Sequence, residues 1–336
     1  VELYLSKMGT INEVVTRYAR DNRTISQQRL ALTRDQAREL VALLERRARP
    51  EHRNYRYHHL EAGCASKARD ILDEVLDGRL SRALGDRQDP HTARHYARMG
   101  YAGIIYAELA NDLFMGRLHD RPQTKYYAMY MPHLLARYLQ QVEVPDPAGS
   151  GKQVPLAGAP HVLFKRKGPP PTVGEGKTLV YLGYLWVALT LGLGLWALWG
   201  APGRPRRAGL WLALWALPVG VASLMMVFGA VASTVIEGRI NELLLVFPPT
   251  DIALVGVAWR WLRGRFFAGK LLRGYALLRL GLALLSVVGH ATGLLVQQPR
   301  VLVALALVAA VLLVLITRRL PRAIERERAY PEAEPA

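Results

Sequence analysis

Cys64 is the only cysteine in the chain. It stands directly before a helical pattern, in which Ala68, Ile71, Leu72, Val75 and Leu76 recur at the spacing of one helix face. A thiol at a helix start meets unpaired backbone N–H groups and the positive end of the helix dipole. Both favour the thiolate, the nucleophilic form. The alternative is a small buried hydrophobe, the commoner fate of a free cysteine. The stretch Leu60-Glu61-Ala62-Gly63-Cys64 also looks a little like a lipidation box. Glu61 stands three residues before the thiol, however, and no apolar run precedes it, so an anchor at Cys64 is not expected. His91, just after Pro90 and at the start of the next long helical pattern, is the candidate for polarising the thiol; its position also suits a structural role. The adjacent His58 and His59 lack carboxylate or thiolate ligands at regular spacing, so no metal is expected, and no organic cofactor either.

A second set of polar residues lies further on. Glu237, Arg239, Asn241 and Glu242 fall in a turn between two apolar stretches, while Asp251 and His290 lie inside apolar stretches. At about 1.5 Å of rise per residue, both would sit roughly 10–12 Å below the surface of a bilayer. A charge at that depth is costly and marks function, unless Asp251 merely caps the helix behind it. Asp251 and His290 are expected to pair or to face a common polar cavity.

The elements that must hold these residues divide sharply. Up to about Lys177 the chain is polar, charged and rich in Tyr and His; from Thr178 to Thr317 it is mostly Leu, Ala, Val, Gly and Trp. This predicts a domain over 1–166, a Pro/Gly linker over 167–177, five membrane helices over 178–317 and a tail over 318–336. The five apolar stretches are Thr178–Trp199, Gly209–Ala232, Leu243–Leu262, Leu271–Val296 and Val301–Thr317. Pro248-Pro249 should bend the third.

The net charge is +17, but the basic residues are spread over membrane loops rather than gathered in a stripe, which excludes a nucleic-acid binder. Twelve basic residues lie in the first loop, the third loop and the tail, against two in the alternate loops. By the positive-inside rule the tail is cytoplasmic and the N-terminal domain lies outside, which in a bacterium is the periplasmic face of the inner membrane. A domain exported without a leader at Val1 leads us to expect a natural start upstream. A lone thiol outside the reducing cytoplasm is less common than one inside, and this one has no partner cysteine in the chain, which favours a reactive Cys64.

Within the first half, Leu3–Leu5 alternates as a short strand and Asn12–Arg20 is helical. Thr33 and Gln36 form a capping box ahead of a helix that stops before Pro50. Tyr55, Tyr57 and His59 alternate as a strand leading to the Cys64 helix. Ala93–Leu118 reads as one long helix, Gln123–Gln140 as a helix interrupted at Pro132, and Val142–Phe164 as turns with short apolar runs.

Taken in order, these motifs resemble the Lnb-type family of bacterial membrane proteins with an Lnb N-terminal periplasmic domain. They are Asn22-Arg23, Leu30-Ala-Leu-Thr33, Tyr55-x-Tyr57, Cys64 with Arg69-Asp70-Ile71-Leu72-Asp73, His91-Thr92, Gly116-Arg117 with Asp120-Arg121-Pro122, Met129-Tyr-Met-Pro132 and Val154-Pro155-Leu156. In the membrane half, Asn241-Glu242-Leu243-Leu244 with Pro249 and Asp251 looks like that family's membrane motif. The resemblance implies an α+β, circularly permuted papain-like periplasmic domain, truncated at its N-terminus here, followed by an all-α five-helix transmembrane domain. It also implies lipoprotein N-acylation: an acyl chain moves from a phospholipid donor, through a thioester on Cys64, to the amino terminus of a lipoprotein acceptor. Two departures are expected to matter. Gly63 stands where the family has Asn, and no Gly-His pair precedes Cys64. The competing expectations are a periplasmic cysteine amidase or peptidase acting on cell wall, and a catalytically inactive membrane scaffold.

Overall fold

The computed structural model describes residues 3–5, 10–52, 54–168, 177–199, 204–232, 239–297 and 300–329. The first half forms β1 (Leu3–Leu5), α1 (Ile11–Arg20), β2 (Ile25–Gln27), α2 (Arg34–Ala48), β3 (Asn54–Arg56), α3 (Cys64–Val75) and α4 (Arg79–Leu84). Then come α5 (Ala93–Tyr101), α6 (Ile105–Phe114), a 3₁₀ turn (Arg117–Asp120), α7 (Lys125–Ala128), α8 (Pro132–Leu139), β4 (Glu143–Pro145), β5 (Gln153–Pro155) and β6 (His161–Phe164). The second half is helical: α9 (Thr178–Leu198), α10 (Arg204–Ala232), α11 (Leu243–Val246), a 3₁₀ turn (Pro249–Ile252), α12 (Ala253–Leu262), α13 (Lys270–Ala291) and α14 (Val301–Ala329).

The described residues hold three two-stranded antiparallel sheets: β1 with β3, β2 with β6, and β4 with β5. The chain divides into two compact units. The first, here the thiol unit, is Val1–Ala93 with Pro122–Thr172; the second, the membrane unit, is Arg94–Arg121 with Val173–Ala336. Residues 94–121, expected in the N-terminal domain, thus pack with the C-terminal helices.

In the thiol unit, local chemistry sets the helix starts. Thr33 and Gln36 form the expected capping box of α2, and Thr10 and Glu13 form a second one at α1. Leu43 of α2 packs on Ile71 and Val75 of α3, with Leu40 at the edge. α3 ends where Gly78 takes a left-handed conformation (φ 75°) and returns its N–H to the Asp73 carbonyl at 2.8 Å.

Among the described residues of the membrane unit, five stretches are long and apolar enough to cross a membrane: Val180–Leu198, Pro205–Ala232, Leu243–Leu262, Lys270–Ala291 and Val301–Pro321. The third is broken, as Pro248-Pro249 dictates. Pro248 is extended (ψ 146°), because a residue before proline is driven out of the helical region. α10 approaches this broken span closely. A Cβ on Gly209 would lie 2.5 Å from the Leu262 nitrogen, and one on Gly220 would lie 2.9 Å from the Ile252 Cα. Small residues at such crossings let membrane helices meet backbone to backbone.

The single long helix expected over Ala93–Leu118 is in fact α5, α6 and a 3₁₀ turn. Gly103 breaks it with φ 87°, a conformation that side chains resist.

Candidate functional site

Cys64 is exposed and is the first residue of α3. The buried-hydrophobe alternative is therefore overturned. Gly63, the N-cap, is extended and offers no side chain to the helix start. Its Cα faces the His59 carbonyl, which a Cβ would meet at 3.4 Å, with the Tyr57 ring at 3.8 Å. The turn that delivers the thiol is closed by the Ala62 N–H donating to the His58 carbonyl at 2.8 Å and by the Glu61 N–H donating to His58 Nδ1 at 3.2 Å. The His58 and His59 rings stack at 5.1 Å. His58 and His59 thus stand in the short turn that leads into Cys64. Among the described residues no group of three or more His, Cys, Asp or Glu side chains has the geometry of a metal site.

Behind the thiol, α3 is fixed by its buried polar face. Ser66 is fully buried, and its hydroxyl donates to the Leu60 carbonyl at 2.6 Å, tying the helix to the turn before it. Arg69 donates to Asp70 Oδ1 at 2.9 and 2.7 Å and to the Tyr126 carbonyl at 3.2 Å, with its guanidinium 4.5 Å from the Tyr126 ring centroid. Burial pushes the Tyr126 phenol up to about 12. Asp73 accepts the Leu80 and Ser81 N–H groups at 2.8 and 3.1 Å, capping α4 from a distance. The Arg69-Asp70-Ile71-Leu72-Asp73 stretch is therefore a set of struts that orients the Cys64 helix.

His91 is exposed and belongs to the turn before α5. Its N–H donates to Asp89 Oδ1 at 2.8 Å, and its carbonyl accepts from Gln123 Nε2 at 2.9 Å. Asp89 is buried and also accepts from the Tyr138 hydroxyl. The His91 backbone is thus anchored on both sides, as a positioned side chain requires.

In the membrane unit, Asn241, Glu242 and His290 are brought together by Gln297. Gln297 Nε2 donates to Asn241 Oδ1 at 2.9 Å, and the Glu242 N–H donates to Gln297 Oε1 at 2.7 Å. Glu242 Oε2 accepts the Val296 and Gln297 N–H groups at 2.9 and 2.8 Å, and Arg117 lies 3.2 Å from Glu242 Oε1. The His290 ring bridges the Ser286 carbonyl (2.8 Å) and the Gln297 carbonyl (3.0 Å). Arg239 is exposed in the turn before α11, and Glu237 lies outside the described residues.

Asp251 stands apart from this network. It does not cap a helix; the N-cap of α12 is Ile252. Its carboxylate is fully buried, 2.9 Å from Arg279 Nη2, and accepts from the Tyr275 hydroxyl at 2.6 Å. The anticipated Asp251–His290 pair is not formed: Asp251 is paired instead with Arg279, whose guanidinium is a permanent cation. Arg279 and Gln297 were missed as site residues. The signal was present in the sequence: Arg279 is a permanent charge near the middle of an apolar stretch, where charges are rarely idle.

Residues 2–98, which include Cys64 and His91, match the family model described as the Lnb N-terminal periplasmic domain. No curated protein and no solved structure matches the chain. The matched segment is under a third of the chain and resembles that periplasmic-type domain, while the five membrane-length helices among the described residues support a multi-pass membrane protein.

Proposed function

We propose that this protein is a membrane thiol acyltransferase that N-acylates bacterial lipoproteins from phospholipid. The observation that carries the reading is the exposed Cys64 at the first residue of a rigidly supported helix, inside the segment that matches the Lnb domain. In this reading the domain has the permuted papain-like order. It lies on the periplasmic face of the inner membrane, with the C-terminus in the cytoplasm, as the distribution of loop charges favours.

The Cys64 sulfur attacks the ester carbonyl of a phospholipid acyl chain, and its proton passes to a base. The tetrahedral oxyanion is stabilised by N–H groups at the start of α3, the groups a helix leaves unpaired. The C–O bond breaks, and the lysophospholipid alcohol departs with the proton. The amine of a lipoprotein's terminal cysteine then attacks the thioester; the C–S bond breaks, an amide forms and the thiol is restored. His91 is proposed to polarise this site from its anchored turn. Glu242, Asn241, Arg239 and His290 are proposed to form the polar mouth of the membrane unit.

The test is mass analysis of the full-length protein purified from membranes, after incubation with phospholipid. A hydroxylamine-labile acyl mass on the Cys64 peptide is the expected result. A bare thiol under those conditions would overturn the acyl-enzyme and leave the amidase or the scaffold.

A further inference from the structure

The stretch Met99–Ala107 carries no charged side chain, and it forms the junction of α5 and α6. At this junction four large apolar side chains are exposed: Tyr101 (46 %), Ile104 (42 %), Ile105 (54 %) and Tyr106 (79 %). Exposed apolar residues scattered singly need no explanation, but a contiguous tip of this size marks an interaction surface.

The other side of α6 shows what that surface meets. Leu109, Leu113 and Phe114 pack against the core of the membrane helices, and α6 lies against α9 and α10. Phe114 sits beside Gly229, three residues from the end of α10, with its ring 3.7 Å from where a Cβ would be. The Leu113 carbonyl accepts from Asn241 at 2.6 Å, and the Arg117 N–H donates to the Ile240 carbonyl at 2.9 Å. The helix is therefore fixed at the level where membrane spans end. The apolar tip is of the same kind as the exposed apolar surface of α9, where Tyr181 (68 %) and Tyr184 (62 %) are exposed near that helix's start. Tyrosines gather at membrane interfaces because one end is apolar and the other seeks water.

The backbone of the turn adds an independent observation. The Gly103 N–H does not face solvent for its partner; it donates to Oε1 of Glu108 at 2.7 Å, and Glu108 is fully buried. The Ile104 N–H donates to the Tyr101 carbonyl at 2.9 Å. The Gly103 and Ile104 amides of this irregular turn are thus satisfied within the chain, which is a condition for backbone placed among lipids.

We propose that the α5–α6 turn is a lipid-inserting element, with Ile104, Ile105 and Tyr106 seated among the glycerol and upper acyl region of the leaflet at the Glu242 end of the helices. Neither α5 nor α6 is long enough to cross a bilayer. The element is an interfacial contact in addition to the five spans, and it does not depend on the chemistry of Cys64.

The test uses full-length protein in lipid nanodiscs carrying Cys64→Ser, so that a single new cysteine takes an environment-sensitive fluorophore. Ile105→Cys is compared with Val41→Cys, an exposed site (51 %) on α2 of the thiol unit. Tyr106→Cys gives a second reading at the most exposed position of the tip, where labelling disturbs packing least. The expected result is a blue-shifted label at both tip positions, quenched severalfold more by lipid nitroxides at shallow acyl positions, and severalfold less by aqueous iodide, than the label at position 41. Equal iodide access at the tip and at position 41 would overturn the proposal. So would protection that vanishes in nanodiscs holding one copy, which would identify a second copy of the chain as the true occupant.

Discussion

In the thiol unit the cysteine is exposed and its supports are buried, whereas in the membrane unit two charged groups, Asp251 and Arg279, are themselves buried and paired with each other. Cys64 faces solvent while Ser66, Arg69 and Asp73 hold its helix from behind. Asp251 and Arg279 are out of reach of solvent and lie 2.9 Å apart. A polar residue in an apolar stretch is thus not by itself a catalytic signal. What separates the two cases is whether the fold supplies a partner or a surface.

That contrast can be broken most directly at the thiol. Cys64→Ala should abolish any acyl adduct at this position while moving the unfolding free energy by no more than about 0.5 kcal/mol, the usual effect of an exposed substitution. A large loss of stability, read by thermal unfolding in detergent, would place Cys64 among the structural residues. The opposite profile is expected in the membrane unit. Either Asp251→Leu or Arg279→Leu alone should destabilise by about 3–5 kcal/mol, because one charge is left buried without its counter-ion. The double substitution should regain most of that loss. If the single variants unfold like the parent, the pair is not the internal clamp described above.

Smaller effects sharpen the comparison. Ser66→Ala strands the Leu60 carbonyl and should cost about 1–3 kcal/mol. Because it loosens the turn before Cys64, it should also slow alkylation or acylation of the thiol more than the same loss of stability elsewhere. Rates unchanged after matching for stability would show that the strut does not position the sulfur. The smallest effect concerns Asp146, an exposed carboxylate held below the usual aspartate range by the Ser150 hydroxyl and then the Ala148 N–H. Because the folded value is the lower one, its contribution to stability is present above the ordinary aspartate pKa and is lost as pH falls through the folded value. Ser150→Ala should raise the titration midpoint of Asp146, measured by NMR; an unmoved midpoint would remove the hydroxyl as its cause.

Much of this architecture was legible in the residues. Apolar length alone located five spans, since a bilayer core accepts little else. The helical spacing after Cys64 placed α3, and Thr33 with Gln36 placed the start of α2, because capping is local chemistry. Partnerships across the chain were not legible. Nothing near Asp251 names Arg279, twenty-eight positions on, and nothing near Glu242 names Gln297; only the packing of one span on another pairs them. The break at Gly103 was missed for a different reason. The apolar pattern of Met99, Ile104, Ile105 and Leu109 continues across it, and periodicity is blind to a residue whose contribution is its backbone angle.

The interleaving of the two units has a consequence for how the molecule is made. Residues 94–121 are synthesised between two parts of the thiol unit, yet the helices they pack on appear only after position 173. Until those helices are threaded into the bilayer, the face carrying Leu109, Leu113 and Phe114 has nothing to cover it. The first half of the chain therefore cannot finish folding before those helices are in place, and a fragment cut at the linker would carry that apolar face bare. Insertion of the spans and closure of the excursion become a single coupled event, and a gene fragment encoding only the first half would not be transplantable to another membrane anchor without redesign of that face.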